Sequence, residues 1–252
     1  MKKALPSLLL LLSFFCARSQ QNAPKQSHPP VTFSHWSLAL ETGPAFPVGA
    51  FGNTHSTGTS GNARTGGGAE LSATYRFCPS LGVTVLAGVG LNPEHNGVTP
   101  VITPGGVYFL ENQYKDWKMT RFLAGPTFEY PLAASGRVSL RLRALAGVLK
   151  TRLPDFTQYE TSDATKSDAE TWIYGKLPWA FVYQADAGLK WEIKRYLALT
   201  LDAGYMASKH TSNPYLTVVE ANDGVVLSSA QAFKKTVDIG VIQCQAGVEF
   251  SL

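Results

Sequence analysis

Polar and apolar residues alternate along eight stretches of this chain, and the last does so without a slip. There Gly240, Ile242, Cys244, Ala246, Val248, Phe250 and Leu252 share one parity, against Val241, Gln243, Gln245, Gly247, Glu249 and Ser251. Successive side chains of an extended strand point to opposite sides, so the pattern predicts a strand with one apolar and one mostly polar face. The same period predicts strands over 36–46, 69–78, 82–92, 119–132, 137–150, 181–194 and 197–207. The clearest is 181–194, where Phe181, Tyr183, Ala185, Ala187, Leu189, Trp191 and Ile193 oppose Gln184, Asp186, Gly188, Lys190, Glu192 and Lys194.

The connections alternate in length. Short turns fall at 79–81, 133–136 and 194–196, and long segments at 49–68, 93–118, 155–178 and 209–234. A long terminal strand needs a neighbour on each edge, and closure into a barrel supplies both. An even strand number with short turns at one end and long loops at the other is the layout of outer-membrane barrels. The expected fold is therefore all-β: an eight-stranded antiparallel up-and-down transmembrane β-barrel with long extracellular loops.

Two features decide which face meets lipid. Between their ends the apolar faces carry no charge, whereas the opposite faces hold Glu41, Arg76, Arg121, Glu129, Arg141, Arg143, Asp186, Lys190, Glu192, Asp202 and Glu249. These signs are balanced enough to pair inside a lumen, while one Arg or Lys at mid-bilayer costs about 2–4 kcal/mol. Aromatics on the apolar parity gather near the short-turn end: Trp36, Tyr75, Phe77, Phe128, Tyr130, Trp191 and Phe250. A ring of this kind at one level suits a membrane interface. A soluble lipocalin-like ligand binder would share the period with its faces exchanged, and is the weaker reading. Ala-Gly pairs recur at 87–88, 124–125, 146–147, 187–188, 203–204 and 246–247. In each the Gly lies on the polar face, where a small residue leaves room for long charged neighbours.

Composition adds the compartment. Lys2 and Lys3 precede an apolar run over 8–15, and Ala17-Arg18-Ser19 offers a cleavage site, so residues 1–19 are expected to be a signal peptide. A lipoprotein reading of Cys16 is disfavoured by Phe15 before it. Residues 20–34, with three prolines, are expected to be a flexible periplasmic lead-in, and 35–252 the barrel. No later stretch reaches the roughly 20 apolar residues of a spanning helix. Cys78 and Cys244 fall on opposite faces and are expected to be free. The net charge of +4, without an arginine-rich run, gives no argument for nucleic acid.

The eight strands, the long alternate loops and the ending Val248-Glu249-Phe250-Ser251-Leu252 resemble the small OmpA/OmpX-type outer-membrane β-barrel superfamily. The chain departs from that pattern in finishing on Ser251 and Leu252 after the Phe. The resemblance implies residence in the bacterial outer membrane, contact with its lipid and lipopolysaccharide, and passage through the barrel-insertion machinery. No peptidoglycan-binding domain is expected after the barrel.

One string invites chemistry. Lys209-His210-Thr211-Ser212-Asn213 resembles the lipid A 3-O-deacylase family, which would make Ser212 the nucleophile, His210 its base and Glu220 or Asp223 the orienter. Parity places His210 and Ser212 on the lumen side, away from lipid. His28, His35, His55 and His95 have no metal-ligand spacing, and neither a metal nor a cofactor is expected. The loop aromatics Tyr108, Phe109, Tyr114, Trp117, Trp172, Tyr174 and Tyr215 favour a non-enzymatic structural or surface-binding role toward an extracellular ligand. A lipid A deacylase-like esterase and a small pore are the alternatives.

Overall fold

The computed structural model describes residues 34–53, 61–94, 97–103, 106–132, 137–162, 165–174, 177–212, 215–222, 225–232 and 235–252. The expected signal peptide, nearly all of the lead-in and the short turn at 133–136 lie outside these residues. In chain order the strands are β1 (Trp36–Pro47), β2 (Gly66–Cys78), β3 (Leu81–Asn92), β4 (Gly97–Thr103), β5 (Gly106–Tyr114), β6 (Trp117–Pro131) and β7 (Val138–Arg152). They continue with β8 (Phe156–Ser162), β9 (Thr165–Tyr174), β10 (Ala180–Lys194), β11 (Leu197–Ser212), β12 (Tyr215–Asn222), β13 (Val225–Ala232) and β14 (Lys235–Ser251).

Eight of these close into a barrel in the order β1-β14-β11-β10-β7-β6-β3-β2, every pair antiparallel. The eight barrel strands are those predicted, with ends shifted by a few residues. The seam joins the first and last strands, Leu38 opposite Phe250 and Leu40 opposite Val248, and Leu252 N donates to the Trp36 carbonyl at 2.9 Å. Closure leaves the barrel no open edge, which is what hydrocarbon demands of a backbone that water cannot reach.

The long segments are a correction. Three of the four are not irregular loops: they form the hairpins β4–β5, β8–β9 and β12–β13, which pair into a second, six-stranded antiparallel sheet in the order β13-β12-β9-β8-β5-β4. Each hairpin closes on a two-residue connection, Thr103 pairing with Gly106, Ser162 with Thr165 and Asn222 with Val225. The order repeats that of the barrel strands each follows or precedes in the chain, so the sheet carries the wall on from six of the eight strands. Trp117, expected in a loop, opens β6 and is buried in the barrel mouth.

The faces divide sharply in accessibility. Trp36, Leu71, Val85, Phe122, Leu189 and Leu201 point outward and are exposed, whereas Glu41, Glu70, Arg121 and Glu249 point inward and are buried. Aromatics mark both ends of the outer wall. Trp36, Tyr75 and Phe77 form one contiguous group, with ring centroids 4.9 and 5.3 Å apart. Phe122 and Trp179 (6.0 Å) and Tyr183 and Tyr205 (6.5 Å) stand at the other end. From Trp191 to Phe181 along β10 the rise is about 34 Å at the usual spacing. A tilt of about 40° reduces this to about 26 Å, the height of a hydrocarbon band. Leu201, between the rings on β11, is 59% exposed. Leu201→Arg is therefore expected to cost about 2–4 kcal/mol in a bilayer, read from urea unfolding in vesicles, against under about 0.5 kcal/mol for an exposed site facing water.

Inside, strict alternation into an ionic lumen holds only toward the short-turn end. Toward the hairpin end, the buried side is itself apolar, with Phe51, Trp117, Met119, Leu149, Leu153, Leu177, Val182, Met206, Val237 and Val241 packed together. Trp117 anchors this cluster: its Nε1 donates to the Gly61 carbonyl at 2.9 Å, and its ring meets Phe51 edge-on at 5.2 Å. The barrel thus carries an apolar ceiling over an ionic interior.

Candidate functional site

The interior below the ceiling is one continuous set of ion pairs. On the adjoining strands β6 and β7, Arg121 bonds Glu70, and Arg143 reaches Glu41 at 3.1 Å, Asp186 at 3.1 Å and Glu70 at 3.9 Å. Arg141, also on β7, bonds Glu41 and Asp202 and reaches Glu249 at 3.2 Å. Glu249 then accepts from Arg76 at 2.6 Å and Lys190 at 2.8 Å, and Glu129 from the same two at 2.6 and 3.4 Å. Neutral amides extend the set: Gln184 donates to Asp186 at 3.1 Å, and Arg121 to Gln243 at 2.9 Å. Charges this deeply buried are tolerable only when paired and hydrogen-bonded, and here each carboxylate shares at least one cation with a neighbour.

Glu70 belongs to this network without being among the predicted lumen charges; it shares the parity of Ser72, Thr74 and Arg76 on β2, and that signal suffices to find it. Glu192 stands elsewhere. It is exposed at the short-turn end and has no ion pair among the described residues. Glycine makes the crowding feasible. A Cβ on Gly88 would lie 2.9 Å from Arg121 Nε, and one on Gly247 would lie 2.8 Å from Glu41 Cγ. A Cβ on Gly188 would overlap the Asp202 carboxylate, and one on Gly204 that of Asp186.

No family model matches the chain, and no curated protein matches it. Among solved structures, Neisserial surface protein A is similar with a TM-score of 0.46 and 14% identity, over 87% of this chain and 98% of that one. A major outer membrane protein of Thermus thermophilus is similar at 0.43 and 15%, over 85% and 98%. OprG of Pseudomonas aeruginosa is similar at 0.43 and 13%, over 88% and 99%. By its own closed topology and divided faces, the chain has the fold of a small outer-membrane β-barrel.

Of the candidate deacylase residues His210, Ser212, Glu220 and Asp223, only His210 has its side chain among the described residues. His210 points into the barrel, 1% exposed, with Nε2 3.2 Å from Thr151 Oγ1. Ser212 pairs through its backbone with Lys235 at the end of β11, and Glu220 lies in β12 opposite Leu227 and Glu170. The side chains of Ser212 and Glu220, and all of Asp223, lie outside the described residues, as do His28, His55 and His95. His35 Nδ1 is 3.0 Å from the Arg76 carbonyl, and the ring stacks on Tyr75 at 5.9 Å. Of the cysteines, Cys244 is free. Cys78, expected to be free, is disulfide-bonded in the full-length chain; Cys244, on the opposite face, is not its partner.

Proposed function

We propose that the chain is an integral protein of the bacterial outer membrane, non-enzymatic, working at the cell surface through the sheet that extends its wall. The observation that carries this is the pairing of three inter-strand hairpins into that six-stranded sheet. A barrel that only filled the membrane would need no more than short connections at both ends, whereas here ordered backbone continues from six barrel strands. The apolar outer band supports contact with outer-membrane lipid and lipopolysaccharide, and the long terminal strand β14 supports delivery by the barrel-insertion machinery.

The test is binding by the whole protein reconstituted in vesicles, with the β4–β5, β8–β9 and β12–β13 hairpins intact or replaced by two-residue turns. Saturable binding to a panel of matrix proteins, lipopolysaccharide and envelope proteins is expected, and is expected to vanish in the trimmed barrel. Binding that survives trimming, or none across the panel, would overturn the surface role. Cells expressing the chain test the esterase reading: lipid A of unchanged mass is expected, and a deacylated product lost in Ser212→Ala would replace the proposal.

The ionic network and the ceiling above it also bear on conduction. Eight strands enclose an interior only wide enough for side chains, and here Arg121, Arg141, Arg143 and Lys190 cross it beneath Trp117 and Phe51. Planar-bilayer recordings are expected to show no discrete conductance; regular steps would restore the small-pore reading.

A further inference from the structure

At the hairpin end the outer wall carries a basic patch that the ionic interior does not use. On β6 and β7, Lys118 lies opposite Arg152 and Thr120 opposite Lys150, and Lys118, Lys150 and Arg152 are all exposed. Phe122, next outward below Thr120, and Trp179 put this patch at the upper edge of the apolar band. Lys150 Nζ stands 5.6 Å from the centroid of the Trp179 ring. Above it, where β5 turns into β6 and β7 leads to β8, lies a cleft of about 360 Å³ lined by Lys115, Asp116, Lys118, Arg152, Leu153 and Asp155.

The carboxylates there do not cancel the cations. The Asp155 side chain is 5% exposed and is turned to Arg152 at 3.0 Å and Lys115 at 3.4 Å, which fixes those two in place. Lys115 N also donates to the Asp155 carbonyl at 2.9 Å, tying the two turns together. Asp116 is exposed on the rim. Lys118 and Lys150 have no carboxylate within 4.0 Å among the described residues. Two uncommitted ammonium groups and one held guanidinium, just above an aromatic band, make a site for a phosphate anchored in hydrocarbon below.

We propose that Lys118, Lys150 and Arg152 bind the phosphate of a phosphorylated glycolipid in the outer leaflet, its acyl chains lying along the apolar wall under Phe122 and Trp179. This rests on the reading that the barrel spans the outer membrane. The experiment reconstitutes the full chain in phosphatidylcholine vesicles doped with diphosphoryl, monophosphoryl or dephosphorylated lipid A, and counts retained lipid by native mass spectrometry after mild extraction. Retention is expected to rise with phosphate number. K118Q/K150Q/R152Q is expected to weaken it at least tenfold, since a cation near a charged surface contributes about 1 kcal/mol, about fivefold each. K194Q/R195Q, at the short-turn end, is expected to leave it unchanged. K118Q and K150Q singly, at about fivefold each, serve if the triple variant does not fold.

Equal retention of all three lipids, or a triple variant matching wild type, would overturn the site. Full displacement by millimolar inorganic phosphate would overturn the lipid assignment in favour of a bare phosphate site. Failure of the wild type to show heat-modifiable mobility in these vesicles would instead sink the membrane reading beneath it, so the two failures are distinguishable.

Discussion

Leucine in place of Arg141 is expected to lower the unfolding free energy by about 3–5 kcal/mol, read as a reduced urea midpoint for the barrel in vesicles and as loss of heat-modifiable mobility at lower temperature. Arg141 is the junction of the interior: it serves Glu41, Asp202 and Glu249, which come from β1, β11 and β14. Without it, Glu41 keeps Arg143, and Glu249 keeps Arg76 and Lys190, but Asp202 is left buried with no cation within 4.0 Å among the described residues. The cost comes from stranding a buried charge, so neutralising that partner should return part of it. Arg141→Leu with Asp202→Asn is expected to be milder than the single change, a coupling that double-mutant analysis would register. A loss under about 1 kcal/mol for the single variant, the scale of an exposed pair, would mean that water reaches the interior.

Trp117→Ala is the second large effect, expected at about 3–5 kcal/mol. The indole is 3% exposed and fills the barrel mouth against Phe51. Its truncation removes that packing and leaves the Gly61 carbonyl without the indole donor. Trp117→Phe keeps most of the volume and loses the hydrogen bond, so it is expected to cost about 0.5–1.5 kcal/mol from that bond. The same urea series measures both, and equal midpoints for Trp117→Ala and wild type would show that the ceiling is not packed.

The barrel is legible in the sequence because hydrocarbon imposes a strict rule on outward positions. One charge between the aromatic ends of the face carrying Leu189 and Leu201 would have broken the pattern, and there is none; Lys118, Lys150, Arg152 and Lys209 lie above that band. The inner face follows a looser rule. Met119, Leu149, Met206 and Val237 point inward yet are apolar, so alternation fades at the hairpin end and the ceiling cannot be read from parity. Glu192 shares the parity of Lys190 but lies beyond Trp191, where the wall ends and water begins; parity gives direction and not depth. The hairpins escape any reading that weighs segment length ahead of turn residues. Asp223-Gly224 between two runs containing Val218, Val219, Val225 and Val226 is a strong hairpin sequence. Counting from Leu199 and Leu201 places His210 on the correct side, and the local likeness to a catalytic string carries no information on what surrounds it.

The most direct measurement is spin-label accessibility along β10 in lipid vesicles, with single labels at Tyr183, Ala185, Ala187, Leu189 and Trp191 in a Cys78→Ser/Cys244→Ser background. Collisions with oxygen should peak at Ala187 and fall toward Tyr183 and Trp191, while collisions with a water-soluble nickel chelate show the reverse profile. Nickel access that is uniform along all five positions, with no oxygen maximum, would contradict a wall solvated by hydrocarbon.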